Sequence, residues 1–488
     1  MSRPSALAPE PPHFSHLTSK FYNPWPSAAF PSFSRLLSSG GWVGLPDYKL
    51  REQRGVKDVQ VVKPDWGRKR IKTLLREADE RGEEVDLIAA TWLGHAGAFV
   101  EIPLLAAPFS VSSPRGGQGS SPPTLKCLFD PIFSQRAGPG IGPKRLKVSP
   151  CTVEDLPGVH IVFISHNHYD HLDLATIQDV VRLYPQALYF VPLGNKSWFL
   201  SLSIPPTQVF ELDWWNEVDL PSSHFRSSLG PSRYDNPASG PAEDSHRTAR
   251  SEERIRITCI PAQHTSGRGI CDQRSTLWCG WLVERLVPAE GVTPASPSTY
   301  SSRSIPPTGH TPRSSVPRPT LSKSYLSWAR RPADAPPSRP QSPVALDGSA
   351  SSRAADEKRE KNRGWIRRGA IFHAGDTGYR PFADSPDVCP AFASLGEHFG
   401  PLDLAFVPIW RGGTLGFVSA MSLRLRHENL PCATHGSPGD AVAIHLVIRS
   451  RNTIGMSLLL LPVSPRLLTP GVNPFEQAFT SAPSKART

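Results

Sequence analysis

No stretch of this 488-residue chain reaches the 18 or so apolar residues that a membrane-spanning helix needs, so any contact with lipid is expected to be peripheral. Cysteine is sparse and unpaired. The seven (127, 151, 259, 271, 279, 389 and 432) include no C-x-x-C, and an odd, dispersed set reads as reduced thiols of an intracellular protein. Residues 1–12 show no apolar core, hence no sign of a secretory signal, and no Arg-rich amphipathic face. A mitochondrial address is left open without support from them. Apolar residues are also scarce: at 38% hydrophobic and with 53 prolines, part of the length is expected to stay unfolded.

The net charge of +11 is unevenly placed, since residues 286–368 hold 14 Lys/Arg against 6 Asp/Glu. The same segment contains 13 prolines and long Ser runs, and it cannot bury enough apolar surface to offset chain entropy. Basicity there suits anionic surfaces in general, membranes included. Concentrated away from the motif below, it gives no expectation of nucleic acid. The organisation read from the letters is one large catalytic domain over 87–456. It follows an extension over 1–86, is interrupted by insertions at 103–124, 222–253 and 286–368, and gives way to a divergent tail over 457–488.

The densest chemistry lies between Ile161 and Asp173. The apolar run Ile161–Ile164 reads as a buried strand, and the turn after it carries His166, His168, Asp170 and His171 within six residues. Imidazoles at i and i+2, followed by an adjacent carboxylate and imidazole, can address two neighbouring points in space. Borderline metal ions take these donors.

Further strands and helices frame the motif. Thr91–Ile102 reads strand, Gly turn, strand; His95, in the turn, fits no metal spacing and is expected to be structural or an outer partner. Leu128–Phe133 reads as a return to order, with Asp130 expected to support the motif through hydrogen bonds. An amphipathic helix over Leu174–Tyr184 and a parallel strand over Ala187–Pro192 argue for an α/β sandwich. A strand from Ile255 delivers His264, and Leu277–Glu284 is another strand. Ala370–His373 places Asp376 in a Gly-flanked turn, and Leu402–Ile409 is one more buried strand. His435 is expected to open a helix running to about Arg449, with Pro438 in its first turn. Lys69–Arg81 suits a short surface helix.

Ser165–His171, S-H-N-H-Y-D-H, resembles the metal-binding signature of the metallo-β-lactamase superfamily, and its extension through Leu172 and Asp173 resembles the N-acyl-phosphatidylethanolamine-hydrolysing phospholipase D branch. The same branch is resembled by Phe21–Pro26 (F-x-N-P-W-P), Asp130–Arg136, Gly142–Arg145, Pro150–Cys151, Glu211–Trp215 and Trp410–Gly413. The resemblance implies an αββα sandwich and a zinc-dependent phosphodiesterase acting on a phospholipid at a membrane surface, with two zinc ions. It implies that His166, His168 and His264 hold the first ion, Asp170 and His171 the second, and Asp376 both. Asp170 and His435 are then the candidates for catalysis, and Tyr169 and His435 for contact with substrate. Oligomeric state stays open, a homodimer included. Another hydrolase of this fold, a nuclease or thioester hydrolase, is the alternative, because fold does not fix substrate.

The pattern breaks at Ser457, where the resemblance calls for a histidine completing the second site. Hydroxyl is a poor ligand beside imidazole. A weakened, lipid-binding relative is therefore a further alternative. The abrupt loss of pattern fits a splicing or gene-model difference and a genuine variant equally well.

Overall fold

The computed structural model describes residues 13–29, 42–43, 60–82, 87–104, 123–139, 142, 145, 147–226, 253–289, 364–382, 384–410, 424–425 and 433–457. The bulk of each expected insertion, and the tail beyond 457, lie outside these residues. At their edges the strands run further than expected: two begin or end at Thr124 and Pro288, another starts at Trp365, and a helical turn occupies Ser223–Arg226.

Two six-stranded mixed sheets form the body. The first takes β4 (Ala89–Gly94), β5 (Gly97–Pro103), β6 (Thr124–Phe129), β7 (Ile161–Phe163), β8 (Leu188–Pro192) and β9 (Val209–Leu212) in simple succession, antiparallel to β6 and parallel from there. The second has the order β10 (Glu217–Pro221), β11 (Arg254–Pro261), β12 (Cys279–Pro288), β13 (Trp365–His373), β14 (Leu404–Pro408) and β16 (Thr453–Met456). Its first four strands are antiparallel and its last three parallel. Smaller pairs join β1 (Phe14–Ser15) to β2 (Lys20–Phe21) and β3 (Trp42–Val43) to β15 (Arg424–Leu425).

Strand alternation decides what fills each layer. Ala98, Val100, Cys127, Phe129, Ile161, Phe163 and Phe190 project into one core with Ile255, Ile257, Cys259, Trp281 and Ile371 of the facing sheet. Their neighbours Phe99, Leu128, Val162, Tyr189 and Val191 project the other way, under α2 (Leu174–Leu183) and α3 (Lys196–Leu200) through Ile177, Val180 and Phe199. The second sheet is backed by α5 (Ala391–Phe399) and α6 (Pro438–Val447) through Phe392, Leu395 and Ile444. Strands buried on both faces read as continuous apolar runs, which is why β7 and β8 carry no polar residue. The architecture is the αββα sandwich expected from the sequence. Two more helices, α1 (Arg68–Glu80) and α4 (Ser223–Arg226), lie among the described residues. None of the helices described is long and apolar enough to cross a membrane.

Residues 13–29, read from the sequence as part of an extension, pack into this body. Phe21 and Trp25 are buried in the main core, and Trp25 stacks on Trp214 at 5.3 Å between ring centroids. The two sheets are also tied together beside the motif: Trp281 Nε1 donates to Ile164 O at 2.9 Å, and Cys279 N to Ser165 O at 2.9 Å. Truncating a fully buried tryptophan such as Trp281 costs about 3–5 kcal/mol, and here it would also orphan a carbonyl next to the site.

His160 marks where β6 meets the start of β7. Its Nδ1 accepts a hydrogen bond from Lys126 N at 3.1 Å, which needs a neutral ring. Burial, helped by Lys126 and His224, pushes its pKa down to about 4. The unfolded chain, with an ordinary value near 6.5, takes up the proton first. The contribution is therefore complete above pH 6.5 and is lost as pH falls from there to about 4. At one unit per 1.36 kcal/mol its full extent is on the order of 3 kcal/mol. Urea titrations at pH 7.5 and pH 4.5 are expected to show the stability gap between wild type and His160→Asn shrinking at the lower pH; a constant gap contradicts this account.

Candidate metal centre

The site gathers at one end of the sandwich, where β7, β11, β13 and β16 run out and the β4–β5 hairpin turns. A buried hydrogen-bond chain shapes the loop after β7. Asp130 Oδ1 accepts from Ser165 N at 2.7 Å, and its Oδ2 accepts from Ser165 Oγ at 2.6 Å and from His171 Nδ1 at 2.8 Å. The Ser165 hydroxyl proton is thereby committed, so the 2.9 Å contact with His166 Nδ1 is donated by the ring. Asp173 ends the loop by capping α2 and also accepts from Ser134 Oγ at 2.6 Å. Arg268 braces it from outside, donating to Asn167 O at 2.6 Å and to Leu172 O.

These bonds fix which ring nitrogens point inward as bare acceptors. His166 and His171 donate through Nδ1, leaving Nε2. His264 Nδ1 likewise faces Thr434 O at 2.9 Å, which commits its proton there. The inward atoms of the first cluster then stand close together: His166 Nε2 to His168 Nδ1 at 2.8 Å, His166 Nε2 to His264 Nε2 at 3.1 Å, and His264 Nε2 to His168 Nδ1 at 3.3 Å. With the outer protons assigned, His166 and His264 oppose lone pair to lone pair, an arrangement that repels unless a cation sits between. Around an ion with bonds of about 2.0–2.1 Å to imidazole, tetrahedral neighbours stand roughly 3.3 Å apart. Burial lowers the pKa of all three rings, that of His168 to about 4, so they are neutral at pH 7 as ligands must be. The donors fit a borderline divalent ion.

The neighbouring cluster is acidic. His171 Nε2 is wholly buried, lies 3.2 Å from Asp376 Oδ2, and finds no hydrogen-bond geometry with it. Burial alone would lower the His171 pKa, but Asp376, Asp130 and Asp170 outweigh it and raise the value. For Asp376 burial works upward and is overcome by His171 and His435, leaving the carboxyl below its usual range. The carboxylates that raise the His171 value would be satisfied equally by a cation at this place. One donor atom each from His95, His171 and Asp376 lie within 4.8 Å of one another, and so do those of His264, Asp376 and His435. Asp376 thus belongs to both sides. It is delivered by a turn in which Gly375 has φ +59, and a Cβ there would lie 2.4 Å from that of Ser165.

The residues singled out from the sequence fall as follows. His166, His168 and His264 converge, and His171 and Asp376 adjoin them. Asp170 reaches the second cluster beside His95, with Oδ2 3.2 Å from His95 Nε2. His435 Nε2 stands 3.3 Å from Asp376 Oδ2, but its residue precedes α6 instead of opening it, because Ser437 is the cap and forms a capping box with Asp440. The Tyr169 ring lies against Gly138 and under Arg268, whose guanidinium is 4.7 Å from the ring centre. Ser457 directly follows β16, with its Oγ 2.9 Å from Asp376 Oδ1. Asp130 is the outer partner expected of it. His95 came closer to the centre than its spacing implied; a histidine between two glycines in a hairpin turn was the only local signal. Asn23, whose amide bonds both His264 O at 2.8 Å and His264 N at 3.2 Å, was not foreseen.

In comparison with known families, residues 126–290 match the family described as Beta-lactamase superfamily domain. N-acyl-phosphatidylethanolamine-hydrolyzing phospholipase D 1 of Caenorhabditis elegans is 32% identical over 211 residues, 42% of this chain and 46% of that protein. The mitochondrial N-acyl-phosphatidylethanolamine-hydrolyzing phospholipase D of Saccharomyces cerevisiae is 29% identical over 160 residues, 33% of this chain and 28% of that protein. The chain thus matches less than half the length of these relatives. Among solved structures, an isothiocyanate hydrolase from Delia radicum gut bacteria aligns over 81% of this chain and 92% of that one at 12% identity; with a TM-score of 0.36 the superposition bears no weight.

Removing the outer carboxylate tests whether the inward nitrogens are set as described. Asp130→Ala is expected to weaken divalent-metal binding by about 10–100-fold, the usual worth of such partners. Competition with a chromophoric chelator measures it; unchanged affinity in a folded variant would show that the Asp130 bonds do not orient the ligands.

Proposed function

We propose that this chain, which carries a β-lactamase superfamily domain, is a zinc-dependent phosphodiesterase that hydrolyses N-acyl-phosphatidylethanolamine to N-acylethanolamine and phosphatidic acid. The observation that carries the reading is the convergence of the inward-facing, neutral His166, His168 and His264 next to the carboxylate of Asp376, in a domain similar to two phospholipases of that specificity. His166, His168 and His264 would hold one zinc ion, Asp170 and His171 a second, and Asp376 would face both. Zinc in such a pair acts as a Lewis acid on phosphoryl oxygen and acidifies water.

The chain's own groups divide the remaining work. Water adds to phosphorus, the bond from phosphorus to the N-acylethanolamine oxygen breaks, and that oxygen needs a proton. His435, 13% exposed at the mouth and 3.3 Å from Asp376 Oδ2, is the group placed to give it. Its position is coupled to the first cluster, because the preceding Thr434 carbonyl receives the His264 bond. Tyr169 sits between His168 and Asp170 under the Arg268 guanidinium, and is the candidate for contact with the substrate. A lipid substrate requires work at a membrane surface. Leu17 and Ile270, each 97% exposed, lie on loops joined by the bond from Lys20 Nζ to Cys271 O at 3.2 Å and support such contact.

One specific observation favours a second reading, a weakened lipid-binding relative: Ser457 stands where the resemblance calls for an imidazole. Release of phosphatidic acid from detergent micelles with added zinc separates the two. Turnover is expected, with none on RNA or a thioester, and His168→Ala should reduce it by more than the roughly 10–100-fold that outer partners contribute. Micelle binding without turnover would favour the weakened relative, and turnover of RNA or thioester alone would assign a different substrate.

A further inference from the structure

We infer that His95 takes the place of the missing histidine and completes the second metal position together with Asp170, His171 and Asp376. The inference rests on the metal-binding reading of the site and not on the identity of the substrate.

Three observations converge. The first is an orphaned ring. His95 is 7% exposed, and neither of its nitrogens has a hydrogen-bond partner, although its Nε2 is 3.2 Å from Asp170 Oδ2. A buried imidazole left without partners is costly unless something outside the protein's own bonds satisfies it. The second is convergence: its ring meets that of His171 edge-on at 5.0 Å, and His95, His171 and Asp376 each bring a donor atom within 4.8 Å of the others. The orphaned Nε2 of His171 lies in the same group. His95, His171 and Asp376 thus surround one point, and Asp170 Oδ2, 3.2 Å from His95 Nε2, stands beside them as the fourth donor in reach.

The third observation is how firmly the ring is presented. His95 has φ +50, an uncommon conformation for a residue with a side chain. The turn is held there by three donors: Trp92 Nε1 and Ser457 N both reach His95 O at 2.8 Å, and His373 Nε2 faces Ala96 O at 2.8 Å. Strain of this kind persists only where the surroundings impose it, and it clusters at functional sites.

Ser457 then has a different part from that of a failed ligand. Its amide positions His95, while its hydroxyl faces Asp376 Oδ1 at 2.9 Å and leaves Oδ2 toward His171 and His435. The serine supports the replacement ligand and the shared carboxylate, and is not itself the ligand.

Cobalt(II) loading gives a readout independent of turnover. Wild type is expected to take up two equivalents by elemental analysis, with visible absorption from both. His95→Ala should retain one equivalent and lose the second through a fall in affinity of at least about 10–100-fold. His95→Gln, closer in volume and still polar, is expected to do the same if truncation alone proves unfolding. The decisive variant is His95→Ala combined with Ser457→His, which should recover the second equivalent by returning an imidazole from the other side. Two tightly held equivalents in folded His95→Ala or His95→Gln would overturn the inference and leave His95 as a positioning partner of Asp170. A single equivalent in wild type would overturn it while sparing the first site. Wild type that takes up no metal would overturn the metal-binding reading as a whole.

Discussion

One buried carboxylate governs the geometry of the site. Asp130 accepts three hydrogen bonds from two residues of a single loop, and those bonds assign protons to one ring it touches and to another it does not. Through the Ser165 hydroxyl it directs His166, and directly it directs His171. Asp130 itself sits at φ +38, so the backbone holds an unfavourable conformation where these bonds begin. The loop is rigid because its polar atoms are spoken for, and its inward nitrogens are bare for the same reason.

Two electrostatic environments share one pocket. Around His166, His168 and His264 burial dominates and the rings are neutral. A few ångströms away Asp170, Asp376 and Asp130 surround His171 and reverse the balance. Neutral nitrogens on one side and anionic oxygens on the other would hold two like ions with unequal charge compensation. The shared Asp376 lies on the boundary, where a carboxylate reduces the repulsion between neighbouring cations.

How much of this could be read in advance depends on how local each cause is. H-x-H-x-D-H announces itself because its donors lie within six residues, and the strand before it is apolar on both faces. The helix over residues 174–183 and the strands around 188, 255 and 371 were legible from periodicity for the same reason. His95 was not, because its approach to Asp170 is set by a hairpin 75 positions earlier in the chain and by an amide from residue 457. Nor was Asn23, whose bonds to His264 span 241 positions. Strand ends overran the expected insertions because pairing partners, not composition, decide where a ladder stops: Pro288 and Trp365 face each other across β12 and β13. Ser457 was legible as a departure, yet its bond to Asp376 could not be inferred from letters alone.

The last strand of the second sheet has a consequence for the order of events in synthesis. β16 lies at the sheet edge, parallel to β14, and nothing described follows it but Ser457, whose amide and hydroxyl reach the hairpin turn and Asp376. A ribosome that has released everything through residue 440 has therefore made every side chain proposed here to hold an ion, but has not yet fastened the turn that carries His95. The first cluster is itself set only when Thr434 arrives to take the His264 Nδ1 proton, so both clusters wait on the last part of the domain. The last strand described, with Ser457 behind it, therefore acts as a latch on the hairpin turn.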